Sequence, residues 1–174
     1  MESKLPPGHP VDTFMAEHKK ILHFLELLEA LTRKIKQAKD YNSVAAEMKQ
    51  LKVIAQNLLA AEKHHAREEE ILFPRLEHYG VVGPPAVMRD EHTELRANKK
   101  KLNELIDESK TMNIADFAGW LEVMVPSLTN LLSDHIYKED NILYPEALSV
   151  IPEGEWKGIK EECDKIGYST FTAI

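Results

Sequence analysis

Two stretches of this 174-residue chain carry one chemistry-bearing signature. HHAREEEILFP, residues 64–74, and HIYKEDNILYP, residues 135–145, both read His-x-x-x-Glu-x-x-Ile-Leu-aromatic-Pro. Residues four apart on a helix differ by about 40° of rotation and lie roughly 6 Å apart. His64 with Glu68, and His135 with Glu139, therefore project from one face as neighbours. An imidazole beside a carboxylate is a ligand pair for a first-row metal ion. The apolar run behind each pair, closed by Pro74 or Pro145, marks that face as the one that packs. An ordinary solvated i,i+4 pair gives no reason for its flanking residues to repeat, so the repetition favours ligation.

The elements that must position these pairs read as helices. Seven glycines, abundant Leu, Ala, Glu and Lys, and no period-two β-branched runs point to an all-α class. After a non-helical stretch with Pro6, Pro7, Gly8 and Pro10, the residues Phe14, Ile21, Leu25, Leu28 and Ile35 recur at helical spacing, and His18 falls on their stripe. A break near Asp40 to Ser43 precedes a second helix over about 44–79, with Met48, Leu51 and Leu58 facing in. Gly80, Gly83, Pro84 and Pro85 end it. The third is expected over 86–110, where His92 sits between Met88 and Leu95, followed by Leu102 and Ile106. In the fourth, over 114–148, Leu121, Val125, Leu128, Leu132, His135, Glu139 and Ile142 alternate steps of four and three. Pro126 should bend that helix or split off its first turns. Beyond Pro152 a short terminal helix should dock through Trp156 and Ile159. The expectation is a single domain over 1–174, an up-down-up-down four-helix bundle over about 11–148 with a docked helix over 152–168.

Composition narrows the function. A hydrophobic content of 43% suffices for a sizeable core. A net charge of −7 and a pI near 5.6 argue against nucleic acid or anionic lipid as partners. Cys163 is the only cysteine, so no intramolecular disulfide, CxxC pair or thiolate zinc site can form, and imidazole and carboxylate must carry any metal. With no apolar signal core and no membrane-length stretch, a cytoplasmic location is expected.

His18, His64, His92 and His135 can be placed one per helix on inward faces, with Glu68 and Glu139 one turn from two of them. Six such ligands exceed what one ion takes, since structural zinc is saturated by four. Two metals sharing bridging carboxylates fit better. Iron or manganese suits this nitrogen and oxygen set, with zinc as a substitute, and iron is the expectation.

On these residues the chain resembles the hemerythrin-like HHE cation-binding domains over nearly its whole length. EH18KKI is similar to the family's first-helix motif, H64xxxE68 with LFP to the second, DEH92 to the third, and H135xxxE139 with LYP to the fourth. GHPVDTF and the segment 153–168 resemble a branch often joined to sensory domains. The resemblance implies an oxo- or hydroxo-bridged di-iron centre held by His18, His64, His92 and His135, with Glu68 and Glu139 bridging. It also implies a role in binding or sensing oxygen, peroxide or nitric oxide, with a signalling or output domain as a partner. The alternative is a di-iron redox enzyme with peroxidase-like, nitric-oxide-handling or iron–sulfur repair activity; no residue is singled out as catalytic.

The pattern departs from the family in places. The oxygen carriers have a second histidine one turn after the third-helix ligand, where this chain has Arg96, which cannot ligate iron. One iron would then lose a histidine, which favours turnover over reversible transport. The carriers place an aspartate where this chain has Asp140. About 140° of rotation separates it from His135, so Glu139 is preferred. The cysteine-containing N-terminal segment of the repair proteins is absent.

Among neighbouring residues, His65 and Glu69 would be ligands only if the helix were rotated, and alignment of the two signatures favours His64 and Glu68, leaving His65 and Glu69 a direct or supporting contact. His23 reads as a surface residue, His9 as a structural or capping one, His78 as a helix end, Glu70 as solvated, and Cys163 as a small buried hydrophobe. A ferritin-type site would need Glu-x-x-His instead of His-x-x-x-Glu. A metal-free interaction bundle would tolerate leucine at 64 and 135.

Overall fold

The computed structural model describes residues 5–172, and every regular element among them is helical. Helix α1 spans Pro10–Lys36, α2 Ala45–Ala60, α3 Glu62–Arg67, α4 Phe73–His78, α5 Gly83–Glu108, α6 Ile114–Lys138, α7 Tyr144–Val150 and α8 Trp156–Ile166. Taken as interrupted helices, α2 to α4 and α6 to α7 give, with α1 and α5, the expected all-α arrangement of four long helices and a short C-terminal one. No described helix is long and apolar enough to cross a membrane.

The described residues group into two compact units. One holds the chain up to Lys20, Ala60–His92, and the residues from Asp134 onward; the other holds Ile21–Leu59 and Thr93–Ser133. In the first, Val11, Phe14, Leu72, Phe73, Leu76, Leu143, Tyr144, Trp156 and Ile159 form one apolar cluster, so α8 docks through the two residues expected. In the second, Leu25, Leu28, Leu51, Leu58, Leu102 and Leu121 are buried. Each such side chain contributes roughly 1.5–3 kcal/mol of burial.

Four local features depart from simple periodicity. The second long helix breaks at Ala61, whose carbonyl accepts the His64 and His65 amides at 3.0 and 3.4 Å. Both signatures then contain a π-helical turn, Glu68–Leu72 and Glu139–Leu143. There the Phe73 amide bonds the Glu68 carbonyl, and the Tyr144 amide the Glu139 carbonyl, five residues back. The cause is the proline that follows each aromatic residue: it has no N–H, its ring crowds the carbonyl four residues back, and a wider turn relieves that clash. The added residue shifts the buried phase, so Ile142, expected to face in, is 52% exposed and Leu143 takes its place.

Helix α5 starts at Gly83, three residues earlier than expected, because Pro84 and Pro85 lie in a first turn that needs no amide donors. Helix α6 runs unbroken through Pro126, so of the expected bend or split the split does not occur. Pro126 lies on an exposed face, where the carbonyl it leaves without a donor can bond water. Gly80, at φ +87°, closes α4, letting the Val81 amide reach the Leu76 carbonyl at 2.9 Å.

Candidate metal centre

All six expected ligand residues lie in the first unit, each 2% exposed or less. Helix α1 supplies His18, the α3 to α4 stretch His64 and Glu68, α5 His92, and the α6 to α7 stretch His135 and Glu139. Their inner atoms converge in two sets. The Nε2 atoms of His18 and His64 stand 3.2 Å apart, with Glu139 Oε2 at 3.1 Å from the first and Glu68 Oε1 at 2.9 Å from the second. The Nε2 atoms of His92 and His135 stand 3.1 Å apart, with Glu139 Oε1 at 3.5 and 3.0 Å. Glu139 thus reaches both sets, one oxygen to each, and Glu68 Oε1 also lies 3.9 Å from His92 Nε2.

Each imidazole is held from behind by a carboxylate on its outer nitrogen. His18 Nδ1 lies 2.7 Å from Asp140, His64 Nδ1 2.5 Å from Glu17, His92 Nδ1 2.9 Å from Glu69, and His135 Nδ1 2.7 Å from Glu91. An ionised carboxylate only accepts, so each Nδ1 donates and the neutral ring keeps a lone pair on Nε2, aimed inward. Two such lone pairs at about 3.1 Å repel unless something positive stands between them. No hydrogen bond reaches Glu68 Oε1 or either oxygen of Glu139, though all three atoms are buried. Buried acceptors without donors cost about 1–3 kcal/mol each, and a divalent cation satisfies all of them at once.

Protons partly take that role in the metal-free state. Burial would lower the His18 pKa, but the hydrogen bond to Asp140 and the adjacent Glu139 carboxylate outweigh it and push it up to about 10. For His92, burial is likewise outweighed by Glu139 and Glu69, giving about 9, and His64 is raised against burial by Glu68 and Glu17. Burial and the Glu139 charge raise Glu68, whereas His135, His18 and His92 hold Glu139 well below the usual range despite its burial.

The structure also gathers residues beyond the six expected ligands. His65, 3% exposed, stacks on His92 at 4.0 Å between ring centroids, and His65, His92 and His135 each bring a ring nitrogen within 4.8 Å of the others. The same proximity holds for His18, His64 and Glu139, and for Glu68, His92 and Glu139. Asp140 meets the outer nitrogen of His18, in line with the preference for Glu139 as the inward carboxylate. The fully buried Tyr144 hydroxyl donates to Glu68 Oε2 at 3.2 Å and lies 3.5 Å from His18 Nε2, with burial and the nearby carboxylates raising its pKa well above the usual range. A signal for the supporting carboxylates was present: each neighbours an expected ligand, in Glu17-His18, Glu68-Glu69, Glu91-His92 and Glu139-Asp140.

The remaining histidines fall where expected. His23 has 62% of its side chain exposed, His78 ends α4 on an exposed face, and His9 accepts the Val11 amide at 3.2 Å while packing on Trp156. Glu70 is exposed, and burial pushes the Cys163 thiol up to about 11.

Nitrogen and carboxylate donors without sulfur form a set suited to iron, manganese or zinc, so the His and Glu groups fit a metal site. No curated protein matches the sequence. The profile of the hemerythrin HHE cation binding domain matches residues 9–147, a span that contains every group of the cluster. The chain belongs to the hemerythrin HHE cation-binding family.

Proposed function

We propose that the chain is a non-heme di-iron protein that binds or senses oxygen, or a related small molecule such as peroxide or nitric oxide. His18 and His64 would hold one iron, and His65, His92 and His135 the other, with Glu68 and Glu139 bridging. The observation that supports this most is the pair of inward imidazole sets, each locked by outer carboxylates, around three acceptor oxygens that no hydrogen bond reaches.

An iron pair of this kind supplies electrons to, and a coordination position for, a small diatomic molecule. The chain's own residues set the terms of that encounter. Asp140, Glu17, Glu69 and Glu91 orient the rings and raise their basicity. Phe14 stacks on Tyr144, Tyr144 on His18 and Phe73 on His92, which keeps water from the rings. The Tyr144 hydroxyl, which donates its proton to Glu68 Oε2 and lies 3.5 Å from His18 Nε2, places a phenol on the side with fewer imidazoles.

His65 also bears on the choice between binding and turnover. It supplies the imidazole that Arg96 does not, so five histidines gather and the case for a stripped iron weakens. Reversible binding or sensing is therefore preferred to the redox enzyme.

Metal content by mass spectrometry on protein from iron-replete medium tests the reading, with optical spectra before reduction, after it and on return to air. About two irons per chain, in line with paired carboxylate-bridged centres, and bands that reappear on re-exposure support it. No metal, or one zinc with no redox-dependent spectrum, overturns it.

A further inference from the structure

Glu17, on the outer nitrogen of His64, is tied more heavily than its counterpart Glu91. It accepts Arg67 Nη2 at 2.6 and 2.8 Å and the Thr172 hydroxyl at 2.5 Å, besides His64 at 2.5 Å, and its side chain is wholly buried. Glu91 accepts His135 and Lys138, and 16% of its side chain remains exposed. Arg67 lies in α3, at the place Lys138 holds in the second signature, but Thr172 comes from the segment after α8, outside the span matched by the family profile. There Gly167, at φ +90°, turns the chain out of the helix. The Tyr168 ring then covers the Arg67 guanidinium at 4.5 Å, whose other neighbour is the Phe14 ring at 5.0 Å. Ser169 donates to the Ala60 carbonyl at 3.1 Å, just ahead of the break that presents His64.

We infer that Tyr168–Thr172 is a strap that positions His64 through Glu17 and Arg67, so that closure of the strap and retention of metal at the His18 and His64 position are coupled. This rests on the di-metal reading. A ring free to turn on its outer nitrogen is a poorer ligand, and loss of such an outer partner lowers metal affinity by roughly 10–100-fold. Thr172 fixes the carboxylate oxygen shared with Arg67, while Tyr168 keeps the guanidinium in place and dry. Coupling runs both ways: metal that holds His64 still also holds the residues that grip it.

The test uses the full chain, iron-loaded, for wild type, Thr172→Val, Thr172→Ser and Tyr168→Ala. Iron retained per chain is followed under chelator challenge, and chymotryptic cleavage after Tyr168 is timed with and without iron. Thr172→Val keeps the side-chain shape and removes only the hydroxyl, so it reports even if Tyr168→Ala fails to fold. The expected result is that Thr172→Val releases one of its irons about tenfold faster or more, the other at the wild-type rate. Thr172→Ser should restore retention, and iron should slow cleavage of wild type. Release of both irons from Thr172→Val at wild-type rates, or cleavage indifferent to iron, overturns the strap while leaving a wild-type two-iron result intact. Wild type that takes up no iron overturns both readings.

Discussion

The two signatures are alike in what faces the centre and unlike in what surrounds it. Both place His and Glu four residues apart and follow them with a π-helical turn, and both set a carboxylate from another helix behind the ring. At equivalent places, however, the first has His65, Arg67 and Phe73 where the second has Ile136, Lys138 and Tyr144. Arg67 is 1% exposed and ion-paired, while 37% of the Lys138 side chain meets solvent. The shared residues set up a centre with two like halves. The unshared ones assign five histidines as two and three, and place a phenol on the side with two.

The largest expected effect tests what the halves share. Glu139 reaches His18, His92 and His135, so Glu139→Gln should weaken uptake of both metals by more than about 100-fold, beyond what loss of an outer partner costs. Isothermal titration with ferrous iron under argon checks this, and a variant that still takes two metals tightly would break the bridging assignment. Next comes the contrast in charge burial. Arg67→Met strands the buried Glu17 carboxylate and should cost about 3–5 kcal/mol, whereas Lys138→Met should cost under about 1 kcal/mol. Equal costs in urea unfolding would mean that the two halves are buried alike. His65→Ile makes the first signature like the second and should remove one metal per chain, the other binding within about threefold of wild type. Two metals retained at wild-type affinity would restrict the site to the four histidines expected from sequence.

The last test concerns protons. In the metal-free chain, His18 and His92 are raised from 6.5 to about 10 and about 9. The stability they contribute is complete below pH 6.5 and is lost as pH rises through those values. Metal needs the deprotonated rings, so its affinity rises over the same range. Thermal melts at pH 6.5 and 9 should show the metal-free melting temperature falling and the metal-induced increment growing. A metal-free midpoint that climbs with pH would contradict the assigned hydrogen bonds.

Helix class and ligand spacing could be read from the chain because both are local. Phe14, Ile21, Leu25 and Leu28 share a stripe whatever packs on it, and His64 faces with Glu68 on any helix. What escaped depends on residues that meet only after folding, such as His18 with Asp140, 122 positions apart. The fixed period of 3.6 also failed locally. It placed Ile142 inside, because it carries no term for a turn widened by the proline that follows, and it did not separate His65 from His64, a choice made by alignment of the two signatures. Pro126 does not split α6, because the effect of a proline depends on the face it occupies.

The wide turns also constrain how such a chain can change length. Each holds one exposed residue more than an α-turn requires, near Glu70 and Asn141, between the carboxylate and the apolar residues that follow. Deleting either lets an ordinary α-turn close, so Leu72 and Phe73, or Leu143 and Tyr144, keep their face, but it returns the proline ring to the carbonyl four residues back. A shortened signature would then present both its carboxylate and its apolar anchor while carrying that clash, at a cost of about 3 kcal/mol. Single-residue deletions at two solvent-facing positions should therefore destabilise by about that amount and be relieved by replacing Pro74 or Pro145, whereas substitutions at the same positions should be tolerated.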